Sequence, residues 1–168
     1  MNSILAKCSA MVAILLGAAL PATGAFAQEA YDIVGTWTLV SSVLDKDGKK
    51  IDQFGPDAKG MMILDAQGRF MLTIIGADLP KFASGNRAAG SPEENKAVIG
   101  KSVALFGTYA LNPQGKSLTL NIDKSTFPNW DATEQKRSVV TLSRDDLQYM
   151  TAQASGGGSA TVTWKRAR

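Results

Sequence analysis

From residue 33 onward, apolar and polar side chains alternate with a period of two, and the alternation is cut at intervals by glycine, asparagine, aspartate and serine. Leu118, Leu120 and Ile122 alternate with Thr119, Asn121 and Asp123. Phe70, Leu72 and Ile74 share one face of their run, and Val162, Trp164 and Arg166 share one face of theirs. Because a strand turns successive side chains to opposite faces, each run reads as a strand with one face buried. Eight such runs are expected, near residues 33–44, 59–65, 69–76, 104–111, 117–123, 134–142, 147–153 and 160–166. The one segment with helical signals follows Ser91. A serine N-cap, Pro92 at the first helical position and Glu94 placed to complete a capping box predict a helix from 92 to about 101.

The connections alternate in length. Short ones fall at 66–68, 112–116 and 143–146, and longer ones at 45–58, 77–103, 124–133 and the glycine-rich 154–159. In an up-and-down barrel successive connections lie at opposite ends, so one end would be shut by tight turns and the other framed by loops. The expected fold class is therefore all-β: an eight-stranded up-and-down antiparallel barrel with one short helix in a long loop. A two-sheet sandwich of eight strands is the alternative that shares this rhythm. The interior of an eight-stranded barrel is either filled by side chains or wide enough for one small ligand.

Residues 1–27 read differently from the rest. A short positive stretch ending at Lys7 precedes an apolar run, Met11 to Leu20, too brief to span a bilayer; Pro21 breaks it, and Ala25-Phe26-Ala27 supplies the small residues of a leader cleavage site. The expectation is a cleaved signal peptide over 1–27, a mature chain beginning at Gln28, export to the periplasm or medium, no transmembrane segment in the mature chain, and one domain over 28–168. Cleavage removes the only cysteine, Cys8, and the whole sequence has no histidine. Histidine-based nucleophile systems, a histidine general base and a His-ligated zinc site are excluded. The net charge of +3 falls to about +2 with the loss of Lys7, and the cations are scattered. The basic cluster Lys165-Arg166-Ala167-Arg168 lacks aromatic interleaving, so no nucleic-acid partner is expected. No cofactor or metal is implied: Gly156-Gly157-Gly158 lacks the Lys-Ser/Thr and helix of a phosphate loop and reads as a flexible hairpin.

At Ile33-Val34-Gly35-Thr36-Trp37 the chain resembles the Gly-x-Trp opening of the lipocalin group, and its closing Trp164-Lys165-Arg166 resembles that group's terminal basic residue. Further segments are similar to the bacterial lipocalin-like domain family: 54–60, 81–87, 91–95, Phe106-Gly107-Thr108-Tyr109, Phe127-Pro128-Asn129-Trp130 and Thr133-Glu134-Gln135-Lys136-Arg137. Ala132 departs from the pattern, standing where that family usually has glycine. The resemblance implies a calycin-type barrel and the binding of a small lipophilic molecule.

Four aromatics, Phe54, Phe82, Phe127 and Trp130, fall in the longer connections and hence at the expected mouth, to stack on a ligand or to plug the barrel. Phe106, Tyr109, Gln135 and Arg137 complete the candidate ligand-binding set, with the last three offering polar groups to a ligand carboxylate, carbonyl or phenol. Gly35, Trp37 and Arg166 form a candidate structural closure at the shut end, with the Arg166 guanidinium expected to cover the Trp37 indole. The favoured function is binding of a small hydrophobic molecule without chemistry. The alternatives are an enzyme of isomerase, cyclase or dehydratase type using the same cavity for proton transfer, with catalytic residues unassigned, and a filled barrel whose outer surface binds another protein.

Overall fold

The structure is a computed structural model and describes residues 33–168. The expected leader and the cleavage before Gln28 lie outside the described residues. The order is β1 (Gly35–Lys46), β2 (Lys49–Asp52), β3 (Lys59–Leu64), β4 (Arg69–Ile75), helix α1 (Pro92–Gly100), β5 (Ser102–Leu111), β6 (Ser117–Ser125), β7 (Thr133–Leu142), β8 (Asp146–Thr151) and β9 (Ser159–Arg166). Single 3-10 turns cover Arg87–Ala89 and Pro128–Trp130. Each strand from β3 onward pairs antiparallel with the next, and β1 pairs with both β3 and β9, from Trp37↔Arg166 to Asp45↔Ser159. The eight long staves therefore close on themselves as a barrel, which removes the free strand edges that a sandwich would leave.

One strand was not expected. β2 is a four-residue arm lying inside the first long connection, paired with the end of β1 from Val43↔Asp52 to Lys46↔Lys49. All four of its residues are exposed, so it carries no apolar alternation to read. Its signal was the turn. Asp47 and Gly48 sit at φ 55° and 79°, the conformation that twists a two-residue hairpin with the sheet and that Asp-Gly adopts readily. Helix α1 matches its caps: the Ser91 hydroxyl accepts the Glu94 N–H at 3.2 Å, and the Glu94 carboxylate accepts the Ser91 N–H at 2.8 Å. The same carboxylate accepts the Ala83 N–H, and these two backbone donors hold its pKa below the usual glutamate value.

Inward side chains from all eight staves make one core, including Trp37, Met62, Leu64, Leu118, Leu120, Ile122, Leu147 and Trp164, each at most 2% exposed. Three bulges interrupt the ladders, at Val40, at Asp123 and at Val140, and each turns its extra residue outward. The bulge at Val40 changes which parity faces in. Trp37 and Leu39 are buried before it, Ser42 and Leu44 after it.

The tight turns meet at one end. There the Tyr109 N–H bonds the Gly68 carbonyl, and the Arg166 N–H bonds the Asp145 carbonyl. At the other end Gln53 Nε2 donates to Ser155 Oγ at 3.4 Å and the Gly76 N–H to the Lys101 carbonyl, which ties the longer connections into a rim.

Candidate binding site at the barrel mouth

The shut end is filled. Arg166 lays its guanidinium 4.3 Å from the centroid of the Trp37 ring, donates through Nη1 to the Val34 carbonyl at 2.7 Å, and through Nε to the Arg144 carbonyl. The Trp37 indole N–H is satisfied by the Ile33 carbonyl at 2.9 Å. Gly35 makes room: a Cβ there would stand 2.7 Å from Arg166 Nη1, and its φ of 140° is one that side chains rarely adopt. Tyr109 belongs to this end, its hydroxyl donating to the Asp65 carbonyl at 2.7 Å.

The open end is not filled. Above the core lies an interior cavity of about 40 Å³, lined by Leu72, Ile74, Leu105, Leu120 and other apolar residues. Its polar lining consists of Ser42, Gln53, Arg137, Tyr149 and Thr151, with no aspartate or glutamate. Two larger spaces share its walls. A cleft of about 240 Å³ shares Gln53, Phe54 and Val103 with it and extends between α1 and the glycine-rich loop. A groove of about 510 Å³ shares Trp130 and Arg137 with it and runs along β7.

Trp130 is held by its loop from several directions. Asp131 accepts from Lys124 at 2.9 Å and from the Ser125 N–H at 2.8 Å, and both donors lower the Asp131 pKa, the lysine more. Thr133 Oγ1 donates to the Trp130 carbonyl at 2.7 Å, and Phe127 meets the Trp130 ring edge-on at 5.4 Å. Between Asp131 and Thr133, Ala132 adopts φ 54°, the left-handed conformation for which glycine is suited, so the chain carries local strain at the position where the expected glycine is missing.

Arg137 projects inward from β7, 5% exposed, with its guanidinium 5.9 Å from the Trp130 ring centroid and Nη2 donating to Gln135 Oε1. Burial draws its pKa below the ordinary arginine value, and the neighbouring Tyr149 offsets part of that; the side chain stays a cation. Tyr149 is 2% exposed, and burial pushes its phenol up. The Trp164 indole N–H is buried beside it without a hydrogen bond of ordinary geometry.

The candidate residues thus separate by place. Phe54, Trp130 and Arg137 line the interior cavity, while Phe127 and Gln135 line the adjoining spaces. Tyr109 sits at the shut end, and Phe82 packs against Gly90 in the loop before α1. Phe106 lies on the outer face of β5, 50% exposed, so it is turned away from the cavity. Ser42, Gln53, Tyr149 and Thr151 were missed. The alternation of Leu147, Tyr149 and Thr151 was the available signal for two of them, whereas Ser42 is hidden by the bulge before it.

A closed barrel with one shut end and one lined mouth defines the class of small ligand-binding β-barrels. A lipocalin-like domain model matches residues 34–167, and the chain belongs to that family. Among solved structures, a lipocalin-like protein from Bacteroides uniformis is 16% identical, covering 81% of this chain and 99% of its own, with a TM-score of 0.45. A redesigned β-barrel (14% identity, 83% and 96% coverage, TM-score 0.45) and a de novo designed fluorescence-activating β-barrel (14%, 82% and 96%, 0.44) are similar to the same extent. No curated protein sequence matches.

Proposed function

We propose that this chain is an exported binding protein that holds a small lipophilic molecule at the mouth of its barrel. The observation that carries the reading is the lining of the open end: an apolar wall with a few convergent polar groups, framed by Phe54, Phe127 and Trp130. The interior cavity of about 40 Å³ admits only the tip of a ligand, against roughly 300 Å³ or more for a whole one. The body lies in the adjoining cleft or groove, with Phe127 as the wall those two share and Trp130 between the groove and the interior cavity. The proton-transfer alternative needs a carboxylate or a tyrosine as acid or base: the interior lining has no carboxylate, and burial pushes the phenol of Tyr149, its one tyrosine, up and away from use as a base.

Titration with an apolar fluorescent dye such as phenylnaphthylamine tests the reading. The dye should bind in the micromolar range, and Trp130→Ala should weaken it by about 1 to 3 kcal/mol if the ring is a ligand anchor. Absence of binding would reject the proposal. Export is tested separately by mass analysis of the protein produced in a bacterial host with an export pathway: a mature terminus at Gln28 is expected, and an intact Met1 on the folded exported protein would reject it.

A further inference from the structure

We propose that the mouth is selective for an apolar molecule bearing one anionic group, with Arg137 receiving the anion and the indole and aliphatic walls receiving the body; this rests on the binding function proposed above. A guanidinium taken out of water needs a compensating charge, because its desolvation is repaid only by close opposite charge and well-made hydrogen bonds. Arg137 has neither in full. Among the described residues its side chain is given one acceptor, the neutral Gln135 amide, out of a capacity of five N–H donors. No carboxylate lines the interior cavity. The one carboxylate on the adjoining groove is that of Glu134, on the opposite face of β7, exposed and 3.9 Å from Lys136 Nζ.

The cation is also placed to be reached. Arg137 lines both the interior cavity and the outer groove, with Trp130 lining the same two spaces. An anion entering along the groove meets the guanidinium at the point where the apolar interior begins. The hydroxyls of Tyr149 and Thr151 on the same cavity wall supply further donors, whereas Ser42 already donates to Gln53 Oε1 at 3.0 Å. One cation and a few neutral hydroxyls match a carboxylate or sulfonate; a phosphate dianion would be left short of charge. Burial makes such a pair strong and weakly screened, because charge-assisted hydrogen bonds gain when water is excluded.

Two dyes that differ only in a sulfonate separate this proposal from the one beneath it. Anilinonaphthalene sulfonate and phenylnaphthylamine should both bind, with the sulfonate favoured at least tenfold, and the preference should persist in high salt. Arg137→Met should bring the ratio of the two affinities close to one. Tyr149→Phe, which keeps the ring and the packing, should reduce the ratio by a smaller factor and serves should the methionine variant not fold. If neither dye binds, the binding function itself fails. If both bind equally to the natural chain, binding stands and anion selectivity falls. A sulfonate preference that survives both substitutions would also overturn the proposal, by assigning the anion to surface lysines such as Lys124 and Lys136.

Discussion

The barrel uses the same pair of side chains twice, an arginine over an indole, once at each end. At the shut end Arg166 lies 4.3 Å from the Trp37 ring and bonds two backbone carbonyls, so its charge is met by fixed dipoles of the chain. At the open end Arg137 lies 5.9 Å from the Trp130 ring, bonds one side-chain amide and borders unfilled space. The fully buried Trp37 is anchored by the Ile33 carbonyl, whereas Trp130 is only partly buried and rides on a 3-10 turn. The same chemistry makes a plug when every partner comes from the chain, and a receptor when one partner is left to arrive.

The sharpest way to break this comparison is to remove the two indoles in turn. Trp37→Ala should destabilise the fold by about 3 to 5 kcal/mol through the cavity it leaves in a packed core. Trp130→Ala should cost about 1 kcal/mol in unfolding, since its ring is partly solvated already. Equal losses in urea titrations would mean that the mouth is core. The arginine at the shut end gives an effect smaller than that of Trp37. Arg166→Ala should cost about 2 kcal/mol and Arg166→Lys about half of that, because lysine keeps the charge but loses the plane that stacks and the fork that reaches two carbonyls. Equal thermal midpoints for all three forms would reject the plug. The smallest effect should be a gain. Ala132→Gly relieves the left-handed strain at the base of the Trp130 loop and should stabilise by about 0.5 to 1 kcal/mol, the relief being partly offset by the extra freedom of glycine in the unfolded chain.

The shut end was legible in the sequence to a degree that the open end was not. Period-two runs, capping residues and alternating connection lengths carry the barrel, and strand parity turns Trp37 and Arg166, which the resemblance singles out, to inward faces. Strand parity fails wherever a bulge intervenes. Extra residues at Val40 and Val140 shift the inward set on β1 and β7, and nothing in the pattern marks them, because valine is as suited to the outer face as to the inner. Ser42 enters the cavity wall through such a shift. Phe106 was assigned to the ligand set on residue type, yet its parity, opposite to Leu105 and Gly107, places it on the outer face. Arg137 was a candidate for its chemistry. Its burial without a carboxylate was not readable, because it depends on what the opposite staves omit.

The pairing of β1 with β9 also sets the order in which the molecule can come into being. The bond from Arg166 to Val34 joins residues 132 apart in sequence, and β1 pairs with β9 along most of its length, from Trp37↔Arg166 to Asp45↔Ser159. Such distant closure is slow, because the loop entropy of the whole chain must be lost before the contacts compensate. Until residue 159 has been synthesised, β1 and β8 both present bare hydrogen-bonding edges, and the nascent chain is a curved open sheet that its own neighbours can extend. The barrel is therefore completed only once β9 is available, in a single late event, and a chaperone that shields those two edges would protect it until then.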